Sequence, residues 1–340
     1  MKTDQIQKVH KDWYKLDLSA IVYPTLQRRD FSSVYRLSVL LKEDIDPEIL
    51  QRAVNLTMPR FPTYKAAIRK GVFWRYLEPN DRPGPFVQED VKNPCQPMHF
   101  KGNNRYLVRI YYYRNRIALE AHHSLGDGTG GMCVLQTLTA TYLRLKGHSE
   151  IENGGFVLDI LGIPDPGELE DAYMKYANAK VCPPRPGEKT YRVRGTKEPF
   201  YTLNIIDGIM SVSEVMRVAK SYNATITEYL NSVLLYALMR KQESEWHLKL
   251  RPVKIAMPVN LRRFFPSRTL RNFITMIYPG IDPRLGEYTF EEIVTQVHNY
   301  MRYYLNEKLL RGDITTNAET QRNPFIRIVP LFIKDLVVRQ

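Results

Sequence analysis

A chain of 340 residues is longer than one hydrophobic core usually organises, so two lobes of roughly 150 residues with a cleft between them are expected. Its 44% hydrophobic and 25% charged residues make an ordinary globular balance and exclude wholesale disorder. The formal charge of +13, from 49 Lys and Arg against 36 Asp and Glu, suits anionic partners, yet no zinc-finger spacing, RNP-type motif or basic heptad region supports nucleic acid.

Strand and helix patterns alternate along the chain, which favours an α/β or α+β layered fold. Val34 to Lys42 reads as a strand. Pro47 then opens a helix through Ile49, Leu50, Ala53, Val54 and Leu56 that stops near Pro59. Tyr106 to Tyr113 and Ile117 to His123 read as antiparallel strands joined by a tight turn at Arg114, Asn115 and Arg116. After the glycine-rich turn from Gly126 to Gly131, a helix is predicted over Met132 to Leu145, with Gly147 as its stop.

Residues 1–146 form the expected first lobe. Residues 147–199, rich in Gly, Pro, Lys and Glu and including Pro183, Pro184 and Pro186, form a largely irregular crossover, and 200–340 form the second lobe. That lobe is predicted to open with a strand from Phe200 to Ile206. Helices over Ser213 to Tyr222 and Thr227 to Lys241, strands over Val253 to Val259 and Asn272 to Ile281, and a helix over Phe290 to Leu305 follow.

Cys95, Cys133 and Cys182 are too far apart for a disulfide framework or a Cys-x-x-Cys site, which suits a reducing compartment. Met1 to Leu16 has no apolar h-region, so no signal peptide is expected, and the longest apolar stretch, Phe325 to Val338, is interrupted by charge and short for a bilayer span. A cytoplasmic protein with no transmembrane segment is the expectation.

The segment His122-His123-Ser124-Leu125-Gly126-Asp127-Gly128 concentrates the chemistry. Side chains on a regular strand alternate between faces, so the two histidines diverge: Ile117, Leu119, Ala121 and His123 share one face, Ala118, Glu120 and His122 the other. Periodicity alone leaves open which histidine meets the cleft. An imidazole there suits a general base, since its ordinary pKa lies near neutrality. Diverging histidines argue against a metal site with Asp127. Asp127 stands where it can cap the following helix, and Gly126, Gly128, Gly130 and Gly131 permit positive φ or close approach of a ligand.

His-His-Ser-Leu-Gly-Asp-Gly resembles the HHxxxDG signature of condensation domains, polyketide-associated acyltransferases and wax-ester synthases, within the chloramphenicol acetyltransferase-like superfamily, in a strand-turn-helix context. Trp13-Tyr14-Lys15-Leu16-Asp17 and the run from Met257 to Phe273 are similar to bacterial alcohol acetyltransferase-type proteins. The resemblance implies two chloramphenicol acetyltransferase-like lobes with the site between them and His123 as the base. It also implies an Asp127 turned away from substrate and paired with Arg262, His122 and Gly128 being structural parts of the same turn. The implied activity is transfer of an acyl group, acetyl first, from coenzyme A to an alcohol, with no permanently bound cofactor. The alternative donor is a carrier-protein thioester, as in condensation-type or polyketide-associated transfer.

Arg263, Arg268 and Arg271 offer planar forks for coenzyme A phosphates, and Asn272 is a candidate oxyanion donor. Members of the superfamily continue through further strands, so the second lobe is expected to be incomplete, and an inactive fragment or non-catalytic relative is a third reading. Phe325, Ile328, Val329, Phe332 and Leu336 are expected to form one apolar helical face at the chain end.

Overall fold

A computed structural model describes residues 13–28, 31–180, 187–196, 198–200, 202–245, 247 and 249–339. Cys182 and the prolines at 183, 184 and 186 lie outside the described residues, as does most of the segment read for a signal peptide.

The first sheet joins β2 (Val34–Leu40), β5 (Val87–Glu89), β6 (Val108–Tyr113) and β7 (Arg116–His122) in the order β2-β7-β6-β5. The β6-β7 hairpin is the one the sequence predicts. Its partner β2 runs antiparallel to β7 with Tyr35 opposite Ala121 and Val34 opposite His122, and the edge strand β5 runs parallel to β6. Two helices cover one face of this sheet. The first, α2 (Pro47–Thr57), starts where Asp46 accepts hydrogen bonds from the Glu48 and Ile49 amides. The second, α3 (Gly128–Leu145), buries Cys133, Val134, Leu135, Leu138 and Tyr142 against Ile117, Leu119 and Ala121 of β7. A smaller antiparallel sheet of β1 (Tyr14–Lys15), β3 (Ala66–Lys70) and β4 (Arg75–Pro79), ordered β1-β4-β3, shares the same core. Ahead of β2 lies a single helical turn, α1 (Tyr23–Leu26).

The segment after Gly147 is largely irregular, as its composition implies, but α4 (Ala172–Tyr176) within it is packed. Tyr173 uses its hydroxyl as a surrogate strand partner, accepting from the Ile274 amide and donating to the Ile274 carbonyl. Arg60 forks onto Glu168 at 2.6 and 2.8 Å and so ties the end of α2 to this segment.

The later part of the chain holds α5 (Val212–Ser221), α6 (Ile226–Ser244) and α7 (Phe290–Tyr304) beside a ribbon in two pieces, β8 (Val253–Lys254) with β11 (Gly280–Ile281) and β9 (Met257–Asn260) with β10 (Ile274–Ile277). Leu235, Met239, Val253, Val259, Ile277, Ile281, Ile293 and Val297 form its core. The helix α8 (Glu307–Arg322) packs Leu310, Ile314 and Ala318 against Tyr173, Leu261 and Phe273.

Two expectations are corrected. Residues 202–206 are not a strand: no strand among the described residues pairs with them, the main chain of Leu203 bonds the Asn93 side chain instead, and Ile206 is 96% exposed. The apolar end of the chain is not one helix, because Pro330 cannot continue the backbone ladder; it divides into α9 (Pro324–Ile328) and α10 (Leu331–Arg339). Phe325, Ile328, Phe332 and Leu336 of the expected apolar face point to solvent. The buried contacts of α10 are instead made by Leu331 and Asp335, on the first part of the fold. Among the described residues, no helix is long and apolar enough to cross a membrane.

Candidate active site

The β7 strand ends at His122, so the turn that follows begins with His123. His122 is fully buried. Its Nδ1 accepts the Ser124 amide at 3.2 Å, and its ring meets Phe100 edge to face. Burial, aided by the neighbouring His123, pushes its pKa down to about 3, so the ring is a neutral part of the core near pH 7.

His123 is only partly buried. Its ring lies between two tyrosines, stacked on Tyr23 of α1 at 4.6 Å between centroids and tilted against Tyr35 of β2 at 4.7 Å. The Nδ1 atom is buried and has no hydrogen-bond partner among the described residues, so packing against the two rings orients the imidazole. Burial lowers its pKa while the Asp127 carboxylate works in the opposite direction. A neutral imidazole at pH 7 is a proton acceptor, and aromatic faces beside it favour the cation formed once it accepts. Both main-chain polar groups of His123 are held: its amide donates to the Ser33 carbonyl and its carbonyl accepts from Asn272 Nδ2, each at 2.9 Å. Ser33 has a left-handed backbone (φ 53°) and also donates its hydroxyl to the Tyr23 carbonyl, so one residue joins α1 to the histidine turn.

Asp127 faces away from His123 into the protein. Oδ1 caps α3 by accepting from the Thr129 and Gly130 amides, and Oδ2 accepts from the Phe273 amide and, at 2.7 Å, from Arg262 Nη1. The other guanidinium nitrogens of Arg262 donate to the carbonyls of Thr269 and Arg271. The structure therefore brings Asp127 and Arg262 together as a buried, hydrogen-bonded pair. None of Gly126, Gly128, Gly130 and Gly131 has positive φ. A Cβ at Gly126 or Gly130 would strike the Leu270 carbonyl and the Tyr64 hydroxyl, and at Gly131 the Tyr35 ring. At these three positions glycine admits the protein's own atoms; only exposed Gly128 stands clear.

The other expected residues separate. Asn272 is fully buried, and its amide nitrogen donates to His123 O and to Asp17 Oδ2, which leaves neither hydrogen for an oxyanion. Arg271 is buried too, donating to the carbonyls of Lys15 and Leu169 beside Asp17. This corrects its expected phosphate role. Arg263 is exposed, and Arg268 is exposed beside Asp165.

No protein-family model matches the chain, and no curated protein matches it in sequence. Solved structures resemble it in fold. The structure of polyketide synthase associated protein 5 from Mycobacterium tuberculosis is 14% identical with a TM-score of 0.55, covering 89% of this chain and 74% of its own. The starter condensation domain of rhizomide synthetase, solved as a mutant with C8-CoA, is 13% identical (TM-score 0.56; 94% of this chain, 76% of its own). TRI101 of F. sporotrichioides, solved with coenzyme A and T-2, is 11% identical (TM-score 0.57; 93% of this chain, 79% of its own). This chain has the condensation-domain fold.

Within that condensation-domain fold, sequence reasoning missed Tyr23, Ser33 and Tyr35, and gave Asp17 only as the end of a resembling motif, with no role at the site. Tyr35 is the one with a usable signal: once β2 is placed beside β7, register sets it opposite Ala121 on the His123 face. Tyr23, Ser33 and Asp17 meet the site through long-range packing that no local pattern encodes.

Proposed function

We propose that this protein transfers an acyl group, acetyl first, from coenzyme A to an alcohol hydroxyl, with His123 as general base. The observation that carries the reading is a partly exposed, neutral imidazole at a strand end, held between Tyr23 and Tyr35 on a turn pinned by Asp127 and Arg262. The acceptor oxygen attacks the thioester carbonyl as His123 takes its proton. The tetrahedral adduct then collapses, the carbon-sulfur bond breaks, and the imidazolium returns the proton to the departing thiolate, leaving an ester and free coenzyme A. Base catalysis of this kind contributes about 10² to 10⁴ in rate. The positive net charge supports encounter with a polyphosphorylated donor, and exposed Arg263 and Arg268 are the surface arginines proposed to meet it. Arg271 and Asn272 are structural in this scheme.

A second reading keeps the chemistry but takes the acyl group from a carrier-protein phosphopantetheine. It is favoured by the likeness to a condensation domain and to a polyketide synthase associated protein. Thiol release from acetyl-coenzyme A and from an acetylated carrier protein, each with alcohol and amine acceptors, separates the two. The first reading predicts acceptor-dependent release from acetyl-coenzyme A; release from the carrier alone would replace it with the second.

A further inference from the structure

The chain end is tied to the catalytic turn through a path of named contacts. The helix α10 lies against α1 and β4. Its Asp335, 9% exposed, accepts from the Thr25 hydroxyl at 2.8 Å and from both terminal nitrogens of Arg75 at 2.9 and 2.6 Å, while Arg75 also donates to the Thr25 hydroxyl. The Leu331 amide donates to the Val72 carbonyl, and Lys334 Nζ to the Phe73 carbonyl, so α10 is fastened along the loop before β4. Thr25 sits in the single turn of α1, two residues after Tyr23. At 100° per residue the two side chains leave that turn on nearly opposite faces. Thr25 meets Asp335; Tyr23 meets the His123 ring. A helix of one turn has little stability of its own and takes its position from what packs on either side. The His123 imidazole in turn lacks a hydrogen-bonded orienter at Nδ1 among the described residues and depends on its ring contacts.

We infer that Asp335 is a positioning residue: through Thr25 and Arg75 it holds α1 so that Tyr23 stacks on His123, making α10 a strap over α1 that acts on the catalytic turn through Tyr23. That this matters for turnover rests on the acyl-transfer reading above; the strap itself does not.

Histidine labelled with ¹³C at Cε1 gives a readout independent of activity, because a ring stacked at 4.6 Å displaces the His123 ring-proton resonance. Loss of one signal in His123→Asn assigns it among the seven histidines. Tyr23→Leu should move it downfield, and Asp335→Ala and Thr25→Val should move it the same way. Phe332→Ser, on the solvent side of α10, should leave it in place. If Asp335→Ala does not fold, every histidine signal collapses together and Thr25→Val, which exchanges only a hydroxyl for a methyl, carries the test. An unmoved His123 resonance in folded Asp335→Ala or Thr25→Val, or in Tyr23→Leu, overturns the inference. Acyl transfer by the strap variants should fall about 10- to 100-fold, since misplacing a catalytic group by about 1 Å costs up to about 10². A moved resonance in a protein whose wild type transfers no acyl group would refute the functional reading and leave the strap standing.

Discussion

Removing either partner of the Asp127–Arg262 pair should destabilise the protein far more than loss of a surface ion pair. The contact is 2.7 Å long, and the two side chains are 3% and 11% exposed. Asp127→Ala also deletes the α3 cap, worth about 1 kcal/mol, and leaves the Phe273 amide without its acceptor, worth about 1 to 3 kcal/mol. Together with a stranded guanidinium, the expected loss is about 3 to 5 kcal/mol. Arg262→Ala should cost a similar amount, because it strands the carboxylate and frees the Thr269 and Arg271 carbonyls. In the double variant neither charge is left alone, so the summed single losses should exceed the double loss by about 1.5 to 3 kcal/mol. Urea unfolding of the four proteins, followed by far-UV circular dichroism, measures this. Losses additive within about 0.5 kcal/mol would refute the reasoning, because they would mean that the two groups do not share a buried contact.

Acid should destabilise the fold through His122, whose pKa is depressed from 6.5 to about 3. Stability from a depressed base is complete above pH 6.5 and is lost as pH falls from 6.5 toward 3. The loss is at most about 5 kcal/mol, and His122→Asn, which preserves an acceptor for the Ser124 amide, should flatten the dependence measured by urea unfolding from pH 7 to 4. Asn272→Ala should cost about 1 to 3 kcal/mol of stability, since Asp17 and the His123 carbonyl lose a donor; unchanged stability with abolished turnover would restore an oxyanion role. The protein should self-associate through its exposed apolar residues, led by Ile206 and Ile209 at 96% and 98% exposure. Sedimentation velocity should show association that Ile206→Lys with Ile209→Lys reduces, and a monomer at every concentration would contradict this.

Local patterns were enough to read the β6-β7 hairpin, α2 and α3, because apolar spacing, Pro47 and the glycine turn all act within a few residues. The Asp127–Arg262 pair spans 135 residues and was expected only from a family resemblance. The misreadings share a cause. A strand at 202–206 needs a neighbour to pair with, and an apolar face at the chain end needs a surface; sequence shows the apolar residues but not whether anything covers them. Asp335, a charged residue in an apolar run, makes the decisive contact of α10 because Arg75 and Thr25 meet it from 260 and 310 positions away. Local spacing marks α8 weakly, because Leu310, Ile314 and Ala318 form only a narrow stripe and Gly312 lowers the helical propensity of the segment. Asn272 and Arg271 carry residue types that suit ligands, and only the fold shows that Asp17 and the His123 carbonyl take the Asn272 amide while the carbonyls of Lys15 and Leu169 take the terminal nitrogens of a buried Arg271.

The most direct test of the account is acceptor-dependent thiol release from acetyl-coenzyme A by wild-type protein and by His123→Ala, measured as kcat/KM against pH. Because burial holds the His123 pKa below its ordinary value of 6.5, and the base works only when neutral, wild-type kcat/KM should fall on an acid limb whose midpoint lies below pH 6.5. His123→Ala should lose at least about 10²-fold and the acid limb with it, while His122→Asn keeps that limb. Wild-type turnover in His123→Ala, or an acid limb that survives the loss of its imidazole, would contradict the assignment of His123 as the base.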